Sequence, residues 1–140
     1  MVRDYEIKEL QKLCAAIRGE EGAQDWLKNN GFRELSEFWD AYEDVELSFR
    51  WLKENGFIHL AALVDAMSGN ETAKAWLIKN KMATLGILVD AVAGNKSAVA
   101  WLIKAGETGW VMVAKELYDY EKKKNKKGFW NIFNLGNPYS

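Results

Sequence analysis

One cysteine, one histidine and one proline occur in 140 residues, and each scarcity excludes something. Cys14 has no second thiol to pair with, and together with His59 it is too little to build a Cys/His metal site. A catalytic histidine needs an orienting partner and a nucleophile. None is signalled around His59, whose equivalents in the repeat described below are Glu9, Glu34, Thr84 and Gly109, so we read it as an exposed residue at a helix start. Pro138 lies near the end, which leaves long stretches free to be helical. Glycine-rich phosphate loops of known spacing are missing. The first nine residues carry Arg3, Asp4, Glu6, Lys8 and Glu9 with no apolar run, and so read as neither a secretory signal nor a membrane span. We expect a cytoplasmic protein without a cofactor or metal.

Tryptophan, by contrast, is abundant and ordered. Trp26, Trp51, Trp76 and Trp101 recur every 25 residues, each followed by a leucine: Leu27, Leu52, Leu77 and Leu102. The copies align without gaps, the first running from Leu10 to Glu34. Leu10, Leu35, Leu60, Leu85 and Trp110 share one position, and Leu13, Phe38, Leu63, Leu88 and Val113 the next. Size varies while apolar character persists, as in a core.

Within a copy, Leu60, Leu63, Val64 and Met67 follow helical spacing, Gly69 and Asn70 interrupt, and Ala73, Trp76 and Leu77 resume it. The pattern predicts helix, turn, helix. Gly19, Gly69 and Gly94, with Asp44 in the second copy, end the first helices. Asn70 and Asn95 stand where N-caps belong. Gly31, Gly56 and Gly106 end the second helices, which predicts Schellman closures setting Phe32 over Leu27, Phe57 over Leu52 and Met82 over Leu77. Lys81 replaces the glycine in copy three and Glu107 the phenylalanine in copy four, so those two turns are expected to be looser or differently built. An N-cap at Asp4 opens the first helix.

These residues predict an all-α array: four hairpins plus a closing helix through Trp110, Val113, Leu117 and Tyr118, nine helices in all. Residues 1–121 form the repeat domain and 122–140 a tail. The plan resembles the α-solenoid class of stacked helical hairpins, such as tetratricopeptide and HEAT arrays, over residues 5 to about 121. The period is shorter, and the tetratricopeptide and ankyrin signatures are absent. The resemblance implies protein binding and carries over no binding residue.

Equivalent copies lie on the order of 10 Å apart, too far for Asp40, Asp65 and Asp90 to share a proton or metal. Each is expected to accept from a neighbouring turn's N–H groups or an indole N–H. The four tryptophans, at helical spacing with core positions, read as interior fillers. Stacking platforms for nucleic acid expose their rings beside positive charge, so no nucleic-acid partner is expected.

Two features stand outside this pattern. The first helices of copies three and four are apolar on nearly all sides, through Leu60 to Val64 and Ile87 to Ala93. The tail then sets five lysines between 122 and 127 before Phe129, Trp130, Ile132, Phe133 and Leu135. Three readings of it stay open: folding back over Ile87 and Val92, binding a protein partner or a second copy, or resting on an anionic membrane surface. The expected function is a non-catalytic protein interaction or scaffold module. Peripheral membrane attachment through the tail is the alternative, and an enzyme assembled from residues of separate copies is third.

Overall fold

Each copy folds as a helical hairpin, and the computed structural model describes residues 4–135, with side chains for 4–124. The first-type helices are α1 (Ile7–Ile17), α3 (Arg33–Tyr42), α5 (Ile58–Met67), α7 (Ala83–Val92) and α9 (Thr108–Leu135). The second-type helices are α2 (Ala23–Asn29), α4 (Glu46–Glu54), α6 (Glu71–Lys79) and α8 (Lys96–Lys104). The chain is thus all-α and repetitive, as its spacing predicts. Helices of 7 to 11 residues, as α1 to α8 are, are marginal alone. Packing between hairpins holds them.

The turns rest on backbone geometry more than on residue type. Gly56 takes φ 85° and Phe57 N–H donates to the Leu52 carbonyl at 2.8 Å, the expected Schellman closure. Lys81 holds the same left-handed region at φ 65°, and Met82 N–H donates to the Leu77 carbonyl at 2.9 Å. Glu107 N–H closes on Leu102 at 2.9 Å. The looser turns expected at Lys81 and Glu107 are therefore not found, because the closing bonds use only main-chain atoms. A further bond escaped the sequence reading. The Nδ2 groups of Asn30, Asn55 and Asn80 donate to the carbonyls of Trp26, Trp51 and Trp76 at 2.8, 2.9 and 2.8 Å, covering the ends of α2, α4 and α6.

Helix starts follow the same logic. Asn70 and Asn95 cap α6 and α8 as expected, each Oδ1 accepting at 3.0 Å from the N–H of Ala73 and Ala98. The cap of α1 is Glu6, not Asp4: Glu6 N–H donates to Glu9 Oε1 at 2.9 Å in a capping box.

The array does not stay open. α1, α3, α5, α7 and α9 each pack on the next, and α9 packs on α1, which closes a ring of five; α2, α4, α6 and α8 lie outside it, each seated across two ring helices. The core is the inner ladder of Leu10, Leu35, Leu60 and Leu85 with Leu13, Phe38, Leu63, Leu88 and Val113, joined from outside by the leucines that follow the tryptophans. Closure requires close approach at Gly109, where a Cβ would stand 2.5 Å from Leu10 Cδ1. Among the described residues, the crease between α9 and α1 has no outer helix. It carries Gln11, Lys115 and the Arg18–Glu116 ion pair at 2.6 Å, polar groups suited to solvent. Beneath them Cys14 is buried, its thiol pushed up to about 12 by desolvation and then by Glu116.

Both ends of the ring are tied. At one end Tyr5 sets its ring against Phe32 and Trp110 and donates to Glu34 Oε2 at 2.9 Å. At the other, α9 runs past α1 to α3: Tyr42 donates to Glu121 at 2.6 Å, Tyr120 donates to Glu43 at 2.7 Å, and Trp39 meets Tyr120 edge-on at 5.0 Å. The helix passes residue 121 without a break and continues to Leu135. No helix among the described residues is long and apolar enough to cross a membrane.

Candidate interaction surface

Adjacent residues on a helix point about 100° apart, so a Trp-Leu pair cannot place both side chains at the centre of one buried face. Leucine takes the centre: Leu27, Leu52, Leu77 and Leu102 are each 0% exposed. The indoles lie on the flank. Trp26 and Trp51 are half-buried, while Trp76 and Trp101 are 37% and 42% exposed. The expectation that all four rings are interior fillers is corrected accordingly, and the cause is this angular offset, which repeat spacing does not reveal.

What covers each ring differs between the halves of the chain. Lys8 and Lys12 of α1 bring their ammonium groups to 5.4 Å from the Trp26 ring, and Phe32 stacks beside it at 6.4 Å with planes 3° apart. Arg33 of α3 lies over Trp51 at 4.4 Å, with Phe57 stacked at 5.7 Å. Each indole thereby meets both a cation and a parallel aromatic ring. In copies three and four the residues equivalent to Lys8 and Arg33 are Ile58 and Ala83, those equivalent to Lys12 and Glu37 are Ala62 and Ile87, and those equivalent to Phe32 and Phe57 are Met82 and Glu107. Among the described residues, no cation lies over Trp76 or Trp101 and no aromatic ring stacks on them.

A second substitution widens the apolar area. Lys28 and Lys53 give way to Ile78 and Ile103, which are half exposed and 61% exposed respectively. Ile78 lies across Gly86 of α7, where a Cβ would stand 2.8 Å from its Cγ1. Ile58 is also half exposed. Trp76 and Ile78 stand about 200° apart on opposite flanks of α6, as Trp101 and Ile103 do on α8. Ile78, which lies across α7, and Trp101, whose equivalents lie on the preceding ring helix, therefore line one apolar face over α7, between two helices that make no contact with each other among the described residues. The surplus apolar character noticed in α5 and α7 is answered in part here: Ala61 and Gly86 are buried, and Ala62 and Ile87 half-buried, beneath this outer layer.

Of the residues marked from sequence, Ile87 lies at this face, whereas Val92 lines a separate cavity of about 610 Å³ at the ring's far end with Tyr42, Met67, Tyr118 and Glu121. Phe129, Trp130 and Phe133 lie outside the described side chains. Ile58, Ile78 and Ile103 were missed by reasoning over single copies. Reading each repeat position down the four copies, for a change from basic to apolar, would have found them.

The polar residues marked from sequence are also placed differently. His59 is buried, as are Glu9 and Glu34 at equivalent positions, because the ring packs its helix starts against neighbouring copies. Burial lowers the His59 imidazole pKa, and its Nε2 has no hydrogen-bond partner among the described residues. Asp40 accepts from Gln24 Nε2 at 2.9 Å and Asp90 from Lys74 Nζ at 2.6 Å. Their partners are side chains of the preceding outer helix rather than turn N–H groups or indoles, since α2 and α6 run alongside α3 and α7. Phe49 occupies the equivalent partner position opposite Asp65.

Compared with known proteins, the chain matches no protein family, no curated protein and no solved structure.

Proposed function

We propose that this protein is a non-catalytic interaction module that captures a protein partner on the outer face of α6 and α8. The observation that carries the reading is the contrast between Trp26 and Trp51, covered within their own copies, and Trp76 and Trp101, exposed on helices whose opposite flanks expose Ile78 and Ile103. Apolar area costs free energy in water and is tolerated on a soluble protein where another surface covers it. Exposed aromatic anchors also contribute most to typical protein interfaces.

Exchange of Ile78 and Ile103 together for serine tests the reading. Affinity capture with this variant should lose partners that the native chain retains, with the helical circular dichroism spectrum unchanged. Identical partner sets would refute it. Attachment through the tail has its own motivation in Lys122, Lys123 and Lys124, exposed on α9. Flotation with anionic vesicles at low salt would show it, and the absence of flotation would remove it.

A further inference from the structure

The bare tryptophans are rimmed by unpaired positive charge. Lys79, Lys81 and Lys104 are exposed at the ends of α6 and α8, and none makes an ion pair among the described residues. Such a face accepts an apolar surface edged with carboxylates. It rejects the chain's own lysine-rich segment, which has the same sign.

A surface of the required kind exists on the same molecule. Glu43, Asp44, Val45, Glu46 and Leu47 are consecutive exposed residues where α3 turns into α4. Leu47, 72% exposed, is the most exposed large apolar side chain among the described residues, and Val45 is nearly half exposed. Local folding does not ask for these residues. Equivalents of Val45 are Glu20, Asn70 and Asn95, and those of Leu47 are Gly22, Thr72 and Ser97. Val45 occupies an N-cap position without a side-chain hydrogen bond, where Asn70 and Asn95 each make one. This copy gives up a cap and displays two apolar residues among acids instead.

We infer that chains of this protein associate head to tail, with Val45 and Leu47 of one chain seated between Ile78 of α6 and Trp101 of α8 on the next. Asp44 and Glu46 then face Lys79, Lys81 and Lys104. This rests on the reading of α6 and α8 as a docking face and names its occupant as a second copy. The two surfaces belong to different helices, so the contact is heterologous, and an assembly that does not close on itself leaves one free surface of each kind at its ends.

Sedimentation velocity of the full chain across a concentration series tests it. The native chain should show species above monomer mass that grow with concentration and decline as salt rises. Leu47→Glu and Ile78→Glu should each lose those species while keeping the native helical spectrum and melting transition. Mixing the two variants should restore a complex of one chain of each, because each retains one intact surface. A native chain that stays monomeric throughout, a mixture that stays monomeric, or loss of association in only one variant would overturn the inference. If the native chain is monomeric yet the serine variant of the preceding test loses partners, self-docking fails while the docking face stands.

Discussion

Truncating Leu77 should destabilise the protein more than truncating the much larger Trp76 beside it. Leu77 is 0% exposed, in the centre of the face that α6 turns to the ring, so Leu77→Ala should cost about 3 kcal/mol, within the range of roughly 2 to 5 for buried leucines. A fully buried tryptophan would cost roughly 3 to 5 kcal/mol, but Trp76 is 37% exposed, with neither cation nor stacked ring upon it among the described residues. Trp76→Ala should then cost about 1.5 kcal/mol, roughly half the buried value. Trp51→Ala should exceed Trp76→Ala by about 1 kcal/mol, since it also removes the Arg33 and Phe57 contacts, each worth about 0.5 to 1 kcal/mol. Urea unfolding followed by circular dichroism reads the order from midpoints at constant slope. A Trp76→Ala loss equal to that of Leu77→Ala would refute the reasoning, as would equal losses at Trp51 and Trp76.

Ring closure predicts that Gly109→Val destabilises by about 1 to 3 kcal/mol, as overpacking does, and that Leu10→Ala in the same chain returns part of the loss; a stabilised Gly109→Val would refute the close approach. Lys81→Gly relieves a left-handed lysine at φ 65° and should raise stability by up to about 1 kcal/mol, the steric penalty being partly offset by glycine's entropy, with lowered melting temperature the contrary result. His59 has a folded pKa lowered below its ordinary 6.5 by burial, so stability is fully present above that pH and declines as pH falls through it. His59→Leu should flatten melting temperature between neutral pH and pH of about 5, whereas an unchanged slope would show that the imidazole is not responsible. The Cys14 thiol, raised from 9.0 to about 12, favours the folded state below pH 9.0 and loses that contribution as pH climbs toward 12; alkylation at mildly alkaline pH should be slow until the chain is unfolded, and fast labelling of the native chain would contradict its burial.

The hairpins were legible because their signals are local. Asn70 and Asn95 cap within three residues, and the main-chain closure at Phe57 spans five. Where expectation and structure part, distance is the reason. His59, Glu9 and Glu34 look like exposed helix starts until the neighbouring copies are packed against them, and the partners of Asp40 and Asp90 lie 16 residues away on another helix. The candidate surface was half visible: surplus apolar residues in α5 and α7 were evident, but the exposed edge belongs to Ile78, Trp101 and Ile103 on outer helices.

The sequence by itself determined the hairpin, its period, its turns and the number of copies, because caps, glycines and apolar spacing act within a helix or across one turn. Tertiary structure alone decided that the ends meet, and that leucine rather than tryptophan fills the interior. Closure depends on the small rotation between neighbouring hairpins accumulated around the whole ring, a sum that no single repeat encodes. Which flank of each helix remains in water follows from that same arrangement.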